Sequence, residues 1–357
     1  MTTQPLFRAN ELADYYEVQA LPAHGVNFIL IDTPIDLQHP AFSGAQITQY
    51  NFVTGLGGHW PASMPVLGPH GTAVAGLLVG QTFSIELSAE EAKRNQMDVN
   101  SAVSAMLPAT GLAPGAALHS LALSFDIDPK RHLAALDQAL ALAERLANAI
   151  VLIPRGLDAF TDEPFERARA LTDRLRQLAK RCPVLCAAGN TGSPANGEPA
   201  YPANIDWGQA SREDLLFAVG AVNEHGIPCA YSAPCHWAER SDDAISPTQA
   251  LDYQSENAAT LHAEYGDYLP EVSKTVSKRT HLSTDLVGCW GYRPADSDIA
   301  HLSRDAQMRQ DLRALYCRFG GTSAATAVAA ARMGHLLVEG TFDQPMRREQ
   351  VLQVMTR

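Results

Sequence analysis

Four polar residues stand where runs of apolar sequence begin or end, and between them they hold the parts of an acyl-transfer site. Ser323 follows two glycines in Phe319-Gly-Gly-Thr-Ser-Ala-Ala-Thr-Ala-Val-Ala-Ala-Ala331, and the alanine-rich run behind it predicts a tightly packed helix. A hydroxyl at a helix N-terminus meets unpaired N–H groups and the positive end of the dipole, which favour developing negative charge. Serine is a weak nucleophile at neutral pH and needs a base to take its proton. His70 opens the apolar stretch His-Gly-Thr-Ala-Val-Ala-Gly-Leu-Leu-Val79, preceded by Pro69, and imidazole chemistry suits that work. Asp32 ends the run Val26–Ile31, and a carboxylate on the far nitrogen of an imidazole fixes its tautomer and stabilises the imidazolium. Asn190 sits among glycines at the end of Pro183–Ala188, where an amide can donate to an oxyanion alongside the Ser323 N–H. Each residue alone has a bland explanation: close helix packing around Ser323, a turn cap at Asp32, a structural histidine at 70. The set, in the order Asp, His, Ser, points to acyl transfer.

The elements that must position these groups read as an α/β fold. The nearly continuous apolar run Val26–Ile31 has the length of a strand buried on both sides, and Leu118–Leu123, Ala149–Ile153, Pro183–Ala188 and Leu216–Val222 read as further strands. Between them, Leu133, Leu136, Leu140 and Ala143 recur at helical spacing, and Thr161, Asp162 and Pro164 offer the start of a further helix. The alternation predicts a doubly wound, mostly parallel sheet flanked by helices in one large domain, with sites at the C-terminal strand ends. On this reading residues 1–24 form an N-terminal extension, 25–340 the catalytic domain and 341–357 a C-terminal tail. Two polar excursions leave the pattern, at about 81–111 and 236–316, and within the second only His281–Val287 looks like core.

Composition narrows the class. A chain of 357 residues with 46% hydrophobic content can bury a large core, and a formal charge of -12 argues against a nucleic-acid partner. No stretch approaches a membrane span, and the first residues lack a secretory signal's basic-then-apolar order, so a cytoplasmic location and no membrane partner are expected. Six cysteines lack paired spacing; a zinc site from Cys182, Cys186, Cys229 and Cys235 fits the usual ligand knuckles poorly, and buried free thiols are the better expectation.

Asp32 in Ile31-Asp-Thr-Pro-Ile-Asp36, His70 in His-Gly-Thr-Ala-Val-Ala-Gly76, Asn190 in Ala187-Ala-Gly-Asn and Ser323 in Gly321-Thr-Ser-Ala-Ala-Thr326 resemble the four signature blocks of the subtilisin-like serine proteases. They come in that family's order and approximate spacing, over most of residues 25–335. The α/β-hydrolases run Ser, acid, His and do not fit; sedolisins fit poorly because a histidine holds the base position. The resemblance implies a subtilisin-like fold and a serine endopeptidase with an Asp32–His70–Ser323 triad, an Asn190 oxyanion donor and a peptide or protein substrate. It also implies a substrate-pairing strand at Pro154-Arg155-Gly156, where relatives carry Ser-Leu-Gly. Arg155 puts a cation where an apolar side chain is usual and predicts a preference for acidic or polar substrate side chains. Ala73, Pro69 and Ala327 also depart from the family's usual His, Gly and Pro, without touching the four chemical groups. The segment Asp32–Ala45 is weakly similar to cyanobactin maturation proteases, intracellular processing members of narrow specificity. No cofactor is implied. Structural calcium is common among relatives but has no assignable ligands here, and Asp242, Asp243, Asp296 and Asp298 read as solvated loop charges. The competing reading is a catalytically silent subtilase fold that binds a peptide without turnover.

Overall fold

The computed structural model describes residues 23–241 and 281–356, apart from 55–56, 62–63, 65, 67, 98–99, 108, 110, 125–127, 157–164, 191–196, 206, 209–212, 224–225, 288–290, 293–297 and 343–344. In chain order the strands are β1 (Asn27–Asp32), β2 (Gln46–Asn51), β3 (Phe83–Leu87), β4 (Val103–Leu107), β5 (Ala117–Ala122), β6 (Ala149–Ile153), β7 (Val184–Ala187), β8 (Leu216–Val222), β9 (Trp237–Arg240), β10 (His281–Thr284) and β11 (Tyr316–Phe319). The helices are α1 (His70–Val79), α2 (Ala89–Arg94), α3 (Pro129–Arg145), α4 (Phe165–Ala179), α5 (Arg304–Gln310), α6 (Gly321–Val338) and α7 (Arg348–Met355).

Seven strands form one parallel sheet in the order β2-β5-β1-β6-β7-β8-β9. The alternation of a strand explains why it needs cover on both faces. Phe28 and Leu30 of β1 join Leu118, Leu152, Leu185 and Phe217 in a core with α1, α6 and α7. Ile29 and Ile31 turn the other way, with Leu121, Val151 and Ile153, against Leu136 and Leu142 of α3 and Leu171 and Leu175 of α4. Both faces of β1 are thus spent on packing, so its C-terminal end is the one place where a polar side chain can be presented. Truncating a fully buried side chain such as Leu30 to Ala would cost about 2–5 kcal/mol, a large part of a domain's usual margin.

The sheet-facing helices come in two kinds. α3 and α4 are amphipathic; Asp128 caps α3 through the Lys130 N–H at 3.0 Å, which starts it four residues before the first of the recurring leucines. In α1 every residue is buried, and in α6 burial is unbroken from Gly321 to Ala331. A helix apolar on all sides belongs inside a core, and small side chains let these two lie against each other and the sheet. Their N-termini carry His70 and Ser323.

The excursions are not separate decorations. β3 and β4 pair antiparallel, and Phe83, Ile85, Leu87 and Leu107 share a third core with Leu282, Leu312, Leu315 and Tyr316 from the second excursion. There β10 pairs antiparallel with β11, and His281–Val287 is buried throughout, as expected of a core segment. Within the segment 341–357, α7 buries Val351 and Met355 in the main core. The helix start foreseen at Thr161–Pro164 lies outside the described residues, and α4 runs from Phe165.

Candidate active site

Asp32 is the last residue of β1 and is fully buried; His70 is the first residue of α1 and 9% exposed. The His70 Nδ1 lies 2.9 Å from Asp32 Oδ1 and 2.8 Å from Oδ2. A carboxylate accepts and does not donate, so Nδ1 carries the hydrogen and Nε2 is left with the lone pair. The loop behind Asp32 holds the pair in register. The Thr33 N–H donates to Asp32 Oδ1 at 2.6 Å, and the Gly71 N–H donates to Thr33 Oγ1 at 2.7 Å. Gly71 is needed for that approach, because a Cβ there would lie 2.0 Å from the Thr33 carbonyl oxygen.

Ser323 lies in the first turn of α6 and is 8% exposed. Gly321, at φ 72°, makes the left-handed step from β11 into the helix that other residues take at a cost. The Ser241 hydroxyl donates to the Gly321 carbonyl at 2.6 Å and pins that step. α1 packs against α6, and the ring of Phe319, at the end of β11, meets His70 edge-on with centroids 5.3 Å apart. The packing of α1 on α6 thus brings the N-terminus that carries Ser323 beside the one that carries His70.

Asn190 follows β7. Its Oδ1 accepts from the Thr322 N–H and the Thr322 hydroxyl, each at 2.9 Å, and that hydroxyl also accepts from the Gly189 N–H at 3.2 Å. A backbone N–H can only donate, so the atom facing it is the amide oxygen, and Nδ2 is the donor end of the side chain. Asn190 is thereby tied to the residue before Ser323. Pro154 and Arg155 follow β6 and are buried, Gly156 is exposed, and Arg155 Nη2 donates to the Ser124 carbonyl at 3.3 Å. The cation at 155 is thus seated beside the end of β5 and not extended into solvent.

Sequence reasoning misses the supports: Thr33, Gly71 and Thr322 lie within the motifs but carry no signal of their partners. Two titratable residues in the loop after Asp32 are also buried. Burial raises the carboxyl of Asp36, opposed by the cation of Arg304. Burial likewise lowers His39 to about 4, and its Nε2 donates to the Leu315 carbonyl at 3.0 Å while Nδ1 accepts from the Ala41 N–H at 3.1 Å. Among the described residues no group of three or more His, Cys, Asp or Glu could hold a metal ion. Asp242, Asp243 and Asp296 lie outside them, and Asp298 pairs with Arg94 at 2.5 Å.

The sequence model of the subtilase family, peptidase S8, matches residues 24–357. The chain belongs to the subtilase family. It is accordingly a serine endopeptidase, a hydrolase whose substrates are peptides or proteins. Solved structures similar to this subtilase include the epidermin leader peptide processing serine protease EpiP from Staphylococcus aureus, at 14% identity and TM-score 0.55, covering 99% of this chain and 76% of that one. A cold-adapted subtilisin-like serine proteinase aligns at 14% identity and TM-score 0.52, covering 100% and 87%. The prenylagaramide maturation protease PagA aligns at 17% identity and TM-score 0.47, covering 92% and 82%. The first two establish a shared fold. A search of curated protein sequences finds no match. No described helix of this subtilase is long and apolar enough to cross a membrane.

Proposed function

We propose that this subtilase cleaves peptide bonds through an Asp32–His70–Ser323 triad and an acyl-enzyme, as a cytoplasmic processing protease of narrow specificity. The observation that carries the reading is the bond between a fully buried carboxylate and the Nδ1 of an imidazole at a helix mouth, which leaves Nε2 as the base. In the first step the Ser323 oxygen attacks the substrate carbonyl while its proton passes to His70 Nε2. The carbonyl oxygen takes the negative charge, facing the Asn190 Nδ2 and the Ser323 N–H. Collapse of the tetrahedral adduct breaks the C–N bond, and His70 returns the proton to the leaving amine. Water repeats the sequence on the acyl-enzyme. Asp32 stays ionised and holds the imidazole in the productive tautomer.

The residues Pro154, Arg155 and Gly156 would line the substrate's path, with Arg155 favouring acidic or polar side chains nearby. A reducing compartment fits the thiols: Cys182, Cys186, Cys229, Cys235 and Cys317 are in no disulfide, and burial pushes Cys182 up to about 12. A fluorophosphonate probe tests the reading. Labelling mapped to Ser323, lost in Ser323→Ala and His70→Ala, is the expected result. A folded protein that takes no label would instead support a fold that binds peptides without turnover.

A further inference from the structure

We propose that Arg304, in the second excursion, is a positioning residue for the Asp32–His70 pair and acts through Asp36. The proposal rests on the triad reading above and adds to it the part that excursion plays. The loop 32–36 runs beside the first turn of α1 and is joined to it by three rungs. Asp32 binds His70, Thr33 accepts from the Gly71 N–H, and the Asp36 N–H donates to Thr72 Oγ1 at 3.0 Å. The outermost rung depends on where Asp36 sits. Its carboxylate is 2% exposed; Oδ1 accepts from the Gln38 N–H at 3.2 Å, and Oδ2 accepts from Arg304 Nη2. The second arm of the same guanidinium donates to Gln38 Oε1 at 2.8 Å. One planar fork therefore holds both ends of the turn that follows Asp32.

The guanidinium is delivered by a braced helix. Arg304 is the first residue of α5, whose Ser303 cap accepts from the Ala306 N–H at 3.3 Å. At the other end of the helix the more exposed Arg309 donates from Nε to Glu91 Oε1 at 3.1 Å. A buried carboxylate deprived of its cation must either take up a proton or swing toward water. The second response moves Asp36 relative to Thr72 and loosens the outer rung of the ladder whose inner rung is the Asp32–His70 bond. Arg304 touches none of the reacting groups, so its loss acts on the chemical step and not on the affinity for a reagent.

The test is the kinetics of fluorophosphonate labelling, in which the Ser323 oxygen forms a bond to phosphorus, fluoride leaves and His70 takes the hydroxyl proton. Arg304→Ala is expected to lower the maximal labelling rate by about tenfold with the half-saturating probe concentration unchanged, since misplacement on the order of 1 Å can cost up to about a hundredfold. Arg304→Lys, which keeps a cation for Asp36, is expected to recover most of the rate. Arg309→Ala removes a more exposed ion pair from the far end of the same helix and is expected to stay within about twofold of wild type. If Arg304→Ala is unfolded by circular dichroism, Arg304→Gln takes its place with the same expectation. A wild-type protein that does not label sinks the triad reading and this proposal together. A wild type that labels, with Arg304→Ala or Arg304→Gln matching its rate, or with Arg309→Ala falling as far, overturns the role of Arg304 alone.

Discussion

Adding one methyl group at Gly71 probes the geometry on which the proposed triad depends. In Gly71→Ala the new Cβ would lie 2.0 Å from the Thr33 carbonyl oxygen and 2.9 Å from its carbon. An ordinary carbon-to-oxygen approach is about 3.3 Å, so the Asp32 loop and α1 must part by about 1.3 Å. The obstacle is backbone, and no side chain can swing aside to absorb it. Thr33 adjoins Asp32 and Gly71 adjoins His70, so the parting falls on the Asp32–His70 hydrogen bond. Stretched by that amount, the 2.8 Å contact between Nδ1 and Oδ2 would open to about 4 Å, beyond hydrogen-bond range. The fluorophosphonate labelling rate should therefore fall by about a hundredfold. Overpacking should cost about 1–3 kcal/mol of stability, less than a domain's usual margin, so the variant stays folded while losing activity. Labelling kinetics beside urea unfolding separate the two effects. A folded Gly71→Ala that labels at the wild-type rate would refute the argument that this close approach sets the Asp32–His70 distance.

Other perturbations test other links. Asp32→Asn should lower labelling by about 10⁴-fold, since an amide no longer selects the Nδ1–H tautomer; that size is known for the same change in a Ser-His-Asp protease. Thr322→Val removes the hydroxyl that anchors Asn190 and receives the Gly189 N–H, and should lower the maximal rate of peptide hydrolysis about tenfold with KM little changed, a fraction of the 10²–10³ an oxyanion donor is worth in a subtilisin. His39 is held near 4, below the ordinary histidine value of 6.5, so the unfolded chain binds its proton first as pH falls. Its contribution is whole above pH 6.5 and is lost on the way to pH 4, up to about 3 kcal/mol, and urea unfolding of wild type against His39→Gln at pH 7.5 and 4.5 should show it. Burial of Asp36 works in the opposite sense at the acid end, which is why the comparison with the variant is needed. Arg155→Leu should reduce cleavage beside acidic residues across a peptide library; an unchanged preference removes Arg155 from specificity.

What the sequence reveals follows from how each element meets its surroundings. β6 and β8 are covered on both faces, so their residues form runs without charged or amide side chains and both bounds stand out, while β1 is as apolar only between Asn27 and Asp32. β2 is an edge strand: Gln49 points inward yet is satisfied by the Ile35 backbone, donating from Nε2 at 3.1 Å and accepting at Oε1 at 2.6 Å, so its polar letters hide a strand. β9 is four residues long, Trp-Ala-Glu-Arg, with one buried side chain, too little to mark it as the sheet's last strand. At the site, Asp32, His70, Asn190 and Ser323 are legible because each interrupts an apolar pattern at its end. Their supports are not. The hydroxyls of Ser283 and Thr284 donate to the Ala73 and Thr72 carbonyls at 2.6 and 2.8 Å, more than two hundred residues away in the chain, and a pairing at that separation leaves no local trace. The shared core of the two excursions is hidden for the same reason, since each contributes only half of an apolar cluster.

The central claim is that a carboxylate, an imidazole and an alcohol lie in one hydrogen-bonded line with an amide beside it. An experimental structure of the protein phosphonylated by the fluorophosphonate tests it directly. The account predicts phosphorus on Ser323, His70 Nε2 within about 3.2 Å of the Ser323 oxygen, and a phosphonyl oxygen facing the Asn190 Nδ2 and the Ser323 N–H. A phosphonylated Ser323 turned away from His70, or the label carried by another residue, would contradict it.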